Sequence, residues 1–260
     1  MTTPCSTTTA PARFLLLGDS HAACVGRAAR AAGLPFAGGP LGSGRDFLGP
    51  FFDPVGPTDP TDSTDPTDGA SASASRSSGV GSRSSSDIRF RAPEGQRLYR
   101  EFLGTLGAGG LAGLPVPLVC TFGFSVHTVA TRQNWDIHRD RHGEFPESFL
   151  RGALFSALVR AMVRGALAFY SHTAALGLRV VAIMPPQRVP TMADAQAFHA
   201  AQDVVRDEVA ARGVEIVDLR ARVTDRSGDQ RPAFCQPDDP IHGNLAFGRL
   251  VVSELLDRGL

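Results

Sequence analysis

A serine near the amino terminus and an aspartate and a histidine near the carboxyl terminus have the types that nucleophilic catalysis requires. Ser20 stands in Gly18-Asp19-Ser20-His21, and Asp239 and His242 stand three apart in Asp238-Asp239-Pro240-Ile241-His242-Gly243-Asn244. A serine hydroxyl is a weak nucleophile until a base takes its proton, and an imidazole base needs an acceptor to fix its tautomer. Ser20, His242 and Asp239 supply those parts in the chain order Ser, Asp, His. Asp-x-x-His brings a carboxylate and an imidazole onto one short turn; a pairing with Ser20 requires a fold that closes more than 200 residues of chain.

The elements around these residues suit that closure. Phe14-Leu15-Leu16-Leu17 is a short, wholly apolar run, the pattern of a strand covered on both faces of a parallel sheet. An alanine-rich helix follows and stops at Gly33, so Ser20 falls between a strand's carboxyl end and a helix's amino end, where free N–H groups favour negative charge. Leu34–Ala37 reads as a second strand. Gly38-Gly39-Pro40-Leu41-Gly42-Ser43-Gly44 then reads as a tight loop able to aim a glycine N–H at the region of Ser20. Helix 94–106, strand 117–122, a long helix from Pro146 to about Leu176, strand 179–184 and helix 191–212 follow. Strand 213–219 and helix 244–256, with Asn244 as N-cap, complete the chain. Strands alternating with helices predict a three-layer α/β/α fold on a mainly parallel five-stranded sheet.

Composition narrows the function. The chain has 260 residues, 42% hydrophobic and 20% charged, with zero formal net charge, so bulk electrostatics offer nothing to nucleic acid or an anionic membrane. Every basic residue is arginine, which excludes a Schiff-base or P-loop lysine. The four cysteines, 5, 24, 120 and 235, lack CxxC spacing and read as reduced thiols. Residues 1–12 carry no basic leader and are expected to be disordered; residues 13–260 read as a single domain of a cytoplasmic protein. Arg151 borders the apolar stretch 152–177 and Arg160 and Arg164 interrupt it, which favours an amphipathic helix over a membrane span. Residues 53–87, with Thr-Asp-Pro repeats and then Ser, Ala and Gly, predict a disordered insertion. His138-x-x-x-His142 has helical metal spacing without an apolar stripe beside it, and no metal or other cofactor is assigned.

Taken together, Gly18-Asp19-Ser20 after strand one, the glycine loop after strand two, Asp239-Pro240-Ile241-His242 before the last helix and the His242-Gly243-Asn244 continuation resemble the SGNH/GDSL hydrolase family. The resemblance covers nearly the whole chain outside the insertion and implies a flavodoxin-like fold and ester hydrolysis. It implies Ser20 as nucleophile, His242 as base and Asp239 as its orienter. The oxyanion would be held by the N–H of Ser20 and of Gly44, or else Gly42. The family's third block, Gly-x-Asn-Asp, is here Gly123-Phe124-Ser125-Val126, so its asparagine donor is replaced, with Ser125 or His127 as candidates. His21, Asp19, His127 and Asn244 complete the expected surroundings of the substrate. That substrate is a small-molecule or glycan O-acyl ester, acetyl being one candidate for the acyl group. Gly-Asp-Ser-His also occurs in acyltransferase-associated SGNH-like domains, which keeps acyl transfer open, as does a non-catalytic glycan- or partner-binding module. It resembles one block of the calcineurin-like metallophosphoesterases too, but the Asp-x-His and Gly-Asn-His blocks of that family are missing.

Overall fold

The computed structural model describes residues 11–56 and 87–260. The N-terminal stretch expected to be disordered lies outside them except for residues 11 and 12, and so does most of the low-complexity insertion. The first half of the chain runs through β1 (Leu15–Gly18), α1 (Ala22–Ala31), β2 (Ala37–Pro40), β3 (Phe52–Val55), β4 (Asp87–Phe90), α2 (Pro93–Thr105) and β5 (Leu118–Cys120). The second half holds α3 (Arg132–Trp135), α4 (Ala153–Met162), α5 (Arg164–Ala175), β6 (Val180–Met184) and α6 (Ala195–Ala210). It ends with β7 (Glu215–Asp218), α7 (Arg220–Val223), β8 (Cys235–Gln236), β9 (Asp239–Gly243) and α8 (Leu245–Asp257).

Five strands form one parallel sheet in the order β2-β1-β5-β6-β7. Its apolar runs are continuous because alternate residues serve opposite faces. Leu16, Val119, Val181, Ile183 and Val217 pack under α1 and α8, while Leu15, Leu17, Leu118, Cys120, Ala182 and Met184 pack under α2, α5 and α6. The fold is therefore the expected three-layer α/β/α arrangement. The chain leaves β1 toward β2 on one side and returns through β5 on the other. At such a reversal the loops diverge and open a crevice at the strands' carboxyl ends, where Ser20 sits.

Several boundaries move from where periodicity puts them. The second strand is 37–40 rather than 34–37, so two glycines expected in a loop are inside the sheet. Gly38 has φ +106°, and a Cβ there would lie 2.0 Å from the Leu16 carbonyl oxygen, so the close approach of β2 to β1 admits only glycine. The long helix expected over 146–176 is two helices bent by 79° at Val163. The Gly165 N–H donates to the Leu48 carbonyl (2.9 Å), outside the helical ladder, and a Cβ at Gly165 would meet the Gly49 oxygen at 1.8 Å. Among the described residues no single helix is long and apolar enough to cross a membrane. The stretch 134–145, expected as a polar loop, begins in a helical turn around buried Trp135, whose Nε1–H donates to Val129 O (2.9 Å). Both ends of the expected insertion are ordered strand: β3 and β4 pair antiparallel, with Phe52 opposite Phe90 and Val55 opposite Asp87. Phe51, Phe52 and Phe90 enter an aromatic cluster with Phe122, Phe169 and Tyr99 that ties this pair to the sheet. Cys24, Cys120 and Cys235 are buried free thiols.

Helices α1 and α8 meet backbone to backbone. A Cβ on Gly248 would stand 2.3 Å from the Cys24 carbonyl oxygen and 2.9 Å from the Ala28 Cβ, so the absence of a side chain lets the two backbones touch. Gly104, inside α2, faces open space. Opposite outcomes are expected. Gly248→Ala forces the helices apart and destabilises by about 1–3 kcal/mol, whereas Gly104→Ala stabilises by up to about 1 kcal/mol through helix propensity. Urea midpoints of the two variants against the parent chain check both signs.

Candidate active site

The Ser20 hydroxyl lies 2.7 Å from His242 Nε2, and His242 Nδ1 lies 2.5 Å from Asp239 Oδ2. The two segments expected to meet are in hydrogen-bond contact across 222 residues of sequence. Two devices hold them. Ser20 caps the sheet end of β1 where α1 begins, with Ala22 N–H on the Asp19 carbonyl and Ala23 N–H on the Ser20 carbonyl. Asp239 and His242 belong to β9, which pairs antiparallel with β8 through an irregular register near Cys235 and Gln236. That irregularity lets two residues three apart turn toward each other, since a regular strand would send them to opposite faces.

The asparagine after this hairpin is fully committed. Asn244 Oδ1 accepts from Ala246 and Phe247 N–H, capping α8, and its Nδ2 donates to the Ala233 and Cys235 carbonyls. Asn244 therefore joins β8 to α8 and has no polar atom left for a substrate, contrary to the expectation. Asp239 keeps its carboxyl below the ordinary range: partial burial pushes it up, and the hydrogen bonds from His242 and from the Ile241 N–H (3.1 Å) outweigh that push.

Asp19 is also not a substrate contact. It is 0% exposed, and its carboxylate accepts from the Thr121 hydroxyl (2.9 Å), the Ser125 hydroxyl (2.6 Å) and the His21 N–H (3.0 Å). Its own N–H donates to Thr121 Oγ1 (3.1 Å). Ser125 is thereby removed as an oxyanion donor, because its one hydroxyl proton points at Asp19. Gly44 lies directly over that pair: a Cβ there would meet Ser125 Oγ at 2.0 Å. The Gly44 backbone is held by the preceding residue, since Asp46 Oδ2 accepts both the Ser43 N–H (2.8 Å) and the Ser43 hydroxyl (2.9 Å). Neither the Ser20 nor the Gly44 N–H reaches an acceptor among the described residues. Gly44 shares a recess with Ser20 and His242, and Gly42 is not part of its wall. Of the two candidate glycines, the geometry favours Gly44.

Two recesses flank the Ser20–His242 pair. One, of about 370 Å³, is walled by Gly44, Arg45, His127, Thr128 and Ile241; the other, of about 460 Å³, by Arg27, Gln236, Asp238 and Asp239. Cys24 lines the second recess, and burial pushes its thiol up to about 12, which keeps it protonated. His21 lies in the wall of the second recess only. It is 2% exposed, its Nε2 is engaged by Gln187 and its Nδ1 is enclosed, so it offers a substrate no polar atom and is corrected to a structural position. Its ring centroid lies 5.0 Å from that of His242. Burial lowers its pKa to about 4, with Asp19 opposing the shift and His242 reinforcing it. His127 does line the first recess.

Elsewhere, His138 stacks on Phe149 and His142 Nε2 accepts from Arg141 Nε, so these two rings do not converge on a common point. Among the described residues no group of three or more His, Cys, Asp or Glu is arranged to hold a metal ion. Gln187 was not singled out from the sequence, although it is the first polar residue after the buried strand β6 and Pro185-Pro186, at the edge where Ser20 lies.

No family model matches the chain, and no curated protein matches it. Solved structures align with it at low identity. A lipase/acylhydrolase from Enterococcus faecalis aligns at 15% identity over 95% of this chain and 96% of its own, with a TM-score of 0.43. A Bacteroides fragilis protein that carries the name acylhydrolase aligns at 12% identity over 95% and 85%, with a TM-score of 0.42.

The neutral, buried His21 ties stability to pH. Between its ordinary value of 6.5 and about 4, the unfolded chain binds a proton at this residue that the folded chain refuses. Stability therefore rises with pH across that window and is lost as pH falls through it, at about 1.4 kcal/mol per pH unit and about 3 kcal/mol in all. His21→Gln is expected to flatten that slope between pH 6.5 and 4, as measured by denaturant midpoints in a pH series.

Proposed function

We propose that the chain is a serine hydrolase that cleaves an O-acyl ester through an acyl-enzyme. The observation that carries this reading is the unbroken row Ser20–His242–Asp239 lying beside two unpaired backbone N–H groups. His242 Nε2 takes the hydroxyl proton as Ser20 Oγ attacks the ester carbonyl carbon, and the carbonyl π electrons move onto oxygen. The oxyanion so formed faces the N–H groups of Ser20 and Gly44 at the amino end of α1, where fixed donors cost no reorganisation. Collapse of the tetrahedral intermediate breaks the bond to the alcohol oxygen, which leaves with the proton from His242. Water then attacks the acyl-enzyme, again giving its proton to His242, and the carboxylic acid departs from a regenerated Ser20.

The surrounding residues support those roles. Asp239 accepts a hydrogen bond from Nδ1–H of His242, which leaves Nε2 facing Ser20 as the basic nitrogen. The imidazolium formed during the reaction faces a neutral His21 ring rather than a second cation. The third donor of the SGNH/GDSL pattern has no counterpart in Ser125, so the oxyanion relies on two backbone donors. The resemblance in sequence to that family agrees with this assignment, and the acyl group and the alcohol follow from the recesses rather than from the triad.

A fluorophosphonate probe is expected to label Ser20 in the parent chain and not in Ser20→Ala, which also loses ester hydrolysis. Asp239→Asn is expected to lower kcat by a factor on the order of 10⁴ through the wrong tautomer. Gly44→Ala, whose methyl displaces Ser125 and the donor N–H, is expected to lower it about 10²–10³-fold. Unchanged turnover by Ser20→Ala refutes the mechanism.

A further inference from the structure

Resting on that reading of Ser20, we propose that Gln187 locks His127 as a hydrogen-bond acceptor in the wall of the site, selecting esters that carry a hydroxyl or N–H group beside the acyl bond. The lock begins with a backbone carbonyl. Gln187 is 0% exposed, and its amide nitrogen donates to the Phe124 carbonyl at 3.3 Å. A carbonyl can only accept, so this contact fixes which end of the amide is nitrogen. The same nitrogen donates at 2.6 Å to His21 Nε2, which must therefore be the unprotonated ring nitrogen.

The other end of the amide is then oxygen, 3.0 Å from His127 Nδ1. An oxygen there needs a donor, so His127 carries its proton on Nδ1. In a neutral ring the remaining nitrogen, Nε2, is a bare lone pair. Burial lowers the pKa of His127, with the Gln187 hydrogen bond opposing, and so favours that neutral ring. Nε2 has no protein partner among the described residues and is not enclosed, while the ring lines the recess shared by Ser20, Gly44 and His242.

This excludes the role expected for His127 as a replacement oxyanion donor, since a lone pair repels an oxyanion. It assigns the opposite preference: the group seated against Nε2 must donate. A partly acylated polyol satisfies this, because free hydroxyls lie one or two carbons from the acylated oxygen. Gln187 acts through His127 and is a positioning residue; His127 is the specificity contact.

Two measurements test the proposal. In protein labelled with ¹⁵N-histidine, NMR is expected to find the His127 proton on Nδ1, and Gln187→Met to give a mixture of tautomers. In kinetics, 2,3-dihydroxypropyl acetate is expected to exceed 2,3-dimethoxypropyl acetate in kcat/KM by roughly tenfold or more, the penalty for an unmade hydrogen bond in a partly buried site. His127→Phe is expected to bring that ratio close to one, and Gln187→Met to reduce it. A proton on Nε2 of His127, equal use of the two esters by the parent chain, or a ratio that survives His127→Phe overturns the proposal. So does failure to hydrolyse either ester by protein whose Ser20 takes the fluorophosphonate probe, a result that leaves the reading of Ser20 standing. Absence of probe labelling removes that reading and the proposal with it.

Discussion

Contact between the backbones of α1 and α8 is the constraint on which the rest of the molecule depends. Ser20 stands two residues before α1, and His242 three residues before α8, so the spacing of the two helices sets the spacing of the two side chains. A hydrogen bond of 2.7 Å tolerates errors of only a few tenths of an ångström. Gly248, seated against the Cys24 carbonyl, and Gly243, whose missing side chain leaves room for the Phe247 ring, supply that closeness. Both are small because another backbone or ring occupies the place of a side chain.

A second requirement is a rigid floor, which the buried carboxylate of Asp19 provides. Unpaired, such a carboxylate would be costly; three donors, two from the loop after β5 and one from the start of α1, satisfy it. In doing so it ties the loop after β5 to the end of β1, and Gly44 rests its backbone on the pair Asp19 makes with Ser125. The donor geometry proposed for catalysis is thus built on a polar network beneath it. Gln187 extends the same logic sideways, joining the loops after β5 and β6 to the first turn of α1 through two histidines.

Much of this was legible in the sequence because it rests on local, repetitive signals. The unbroken apolar runs at 14–17 and 180–184 announced strands covered on both faces, and Gly-Asp-Ser with Asp-x-x-His announced where chemistry could gather. The parts that escaped depend on what the chain meets elsewhere. Gly38 and Gly39 look like a loop until Leu16 and Leu17 are known to pair with them. The long apolar helix breaks at Val163 because Gly165 bonds to Leu48, a partner far away in sequence. Asn244, His21 and Asp19 carry polar atoms next to Ser20 and His242, and only their hydrogen bonds reveal that those atoms are spoken for. Gln187 had no motif to flag it, since an amide's influence lies in the orientation that Phe124 imposes on it.

The two hollows beside Ser20 have only Ser20 and His242 in common among their walls. The pair thus forms a saddle between two basins, and a molecule long enough to occupy both must lay its middle across the crest. Under the proposed hydrolysis, which bond is attacked is then decided by how a ligand divides itself between the two sides. A ligand confined to one basin leaves the other free to admit water or a second reactant.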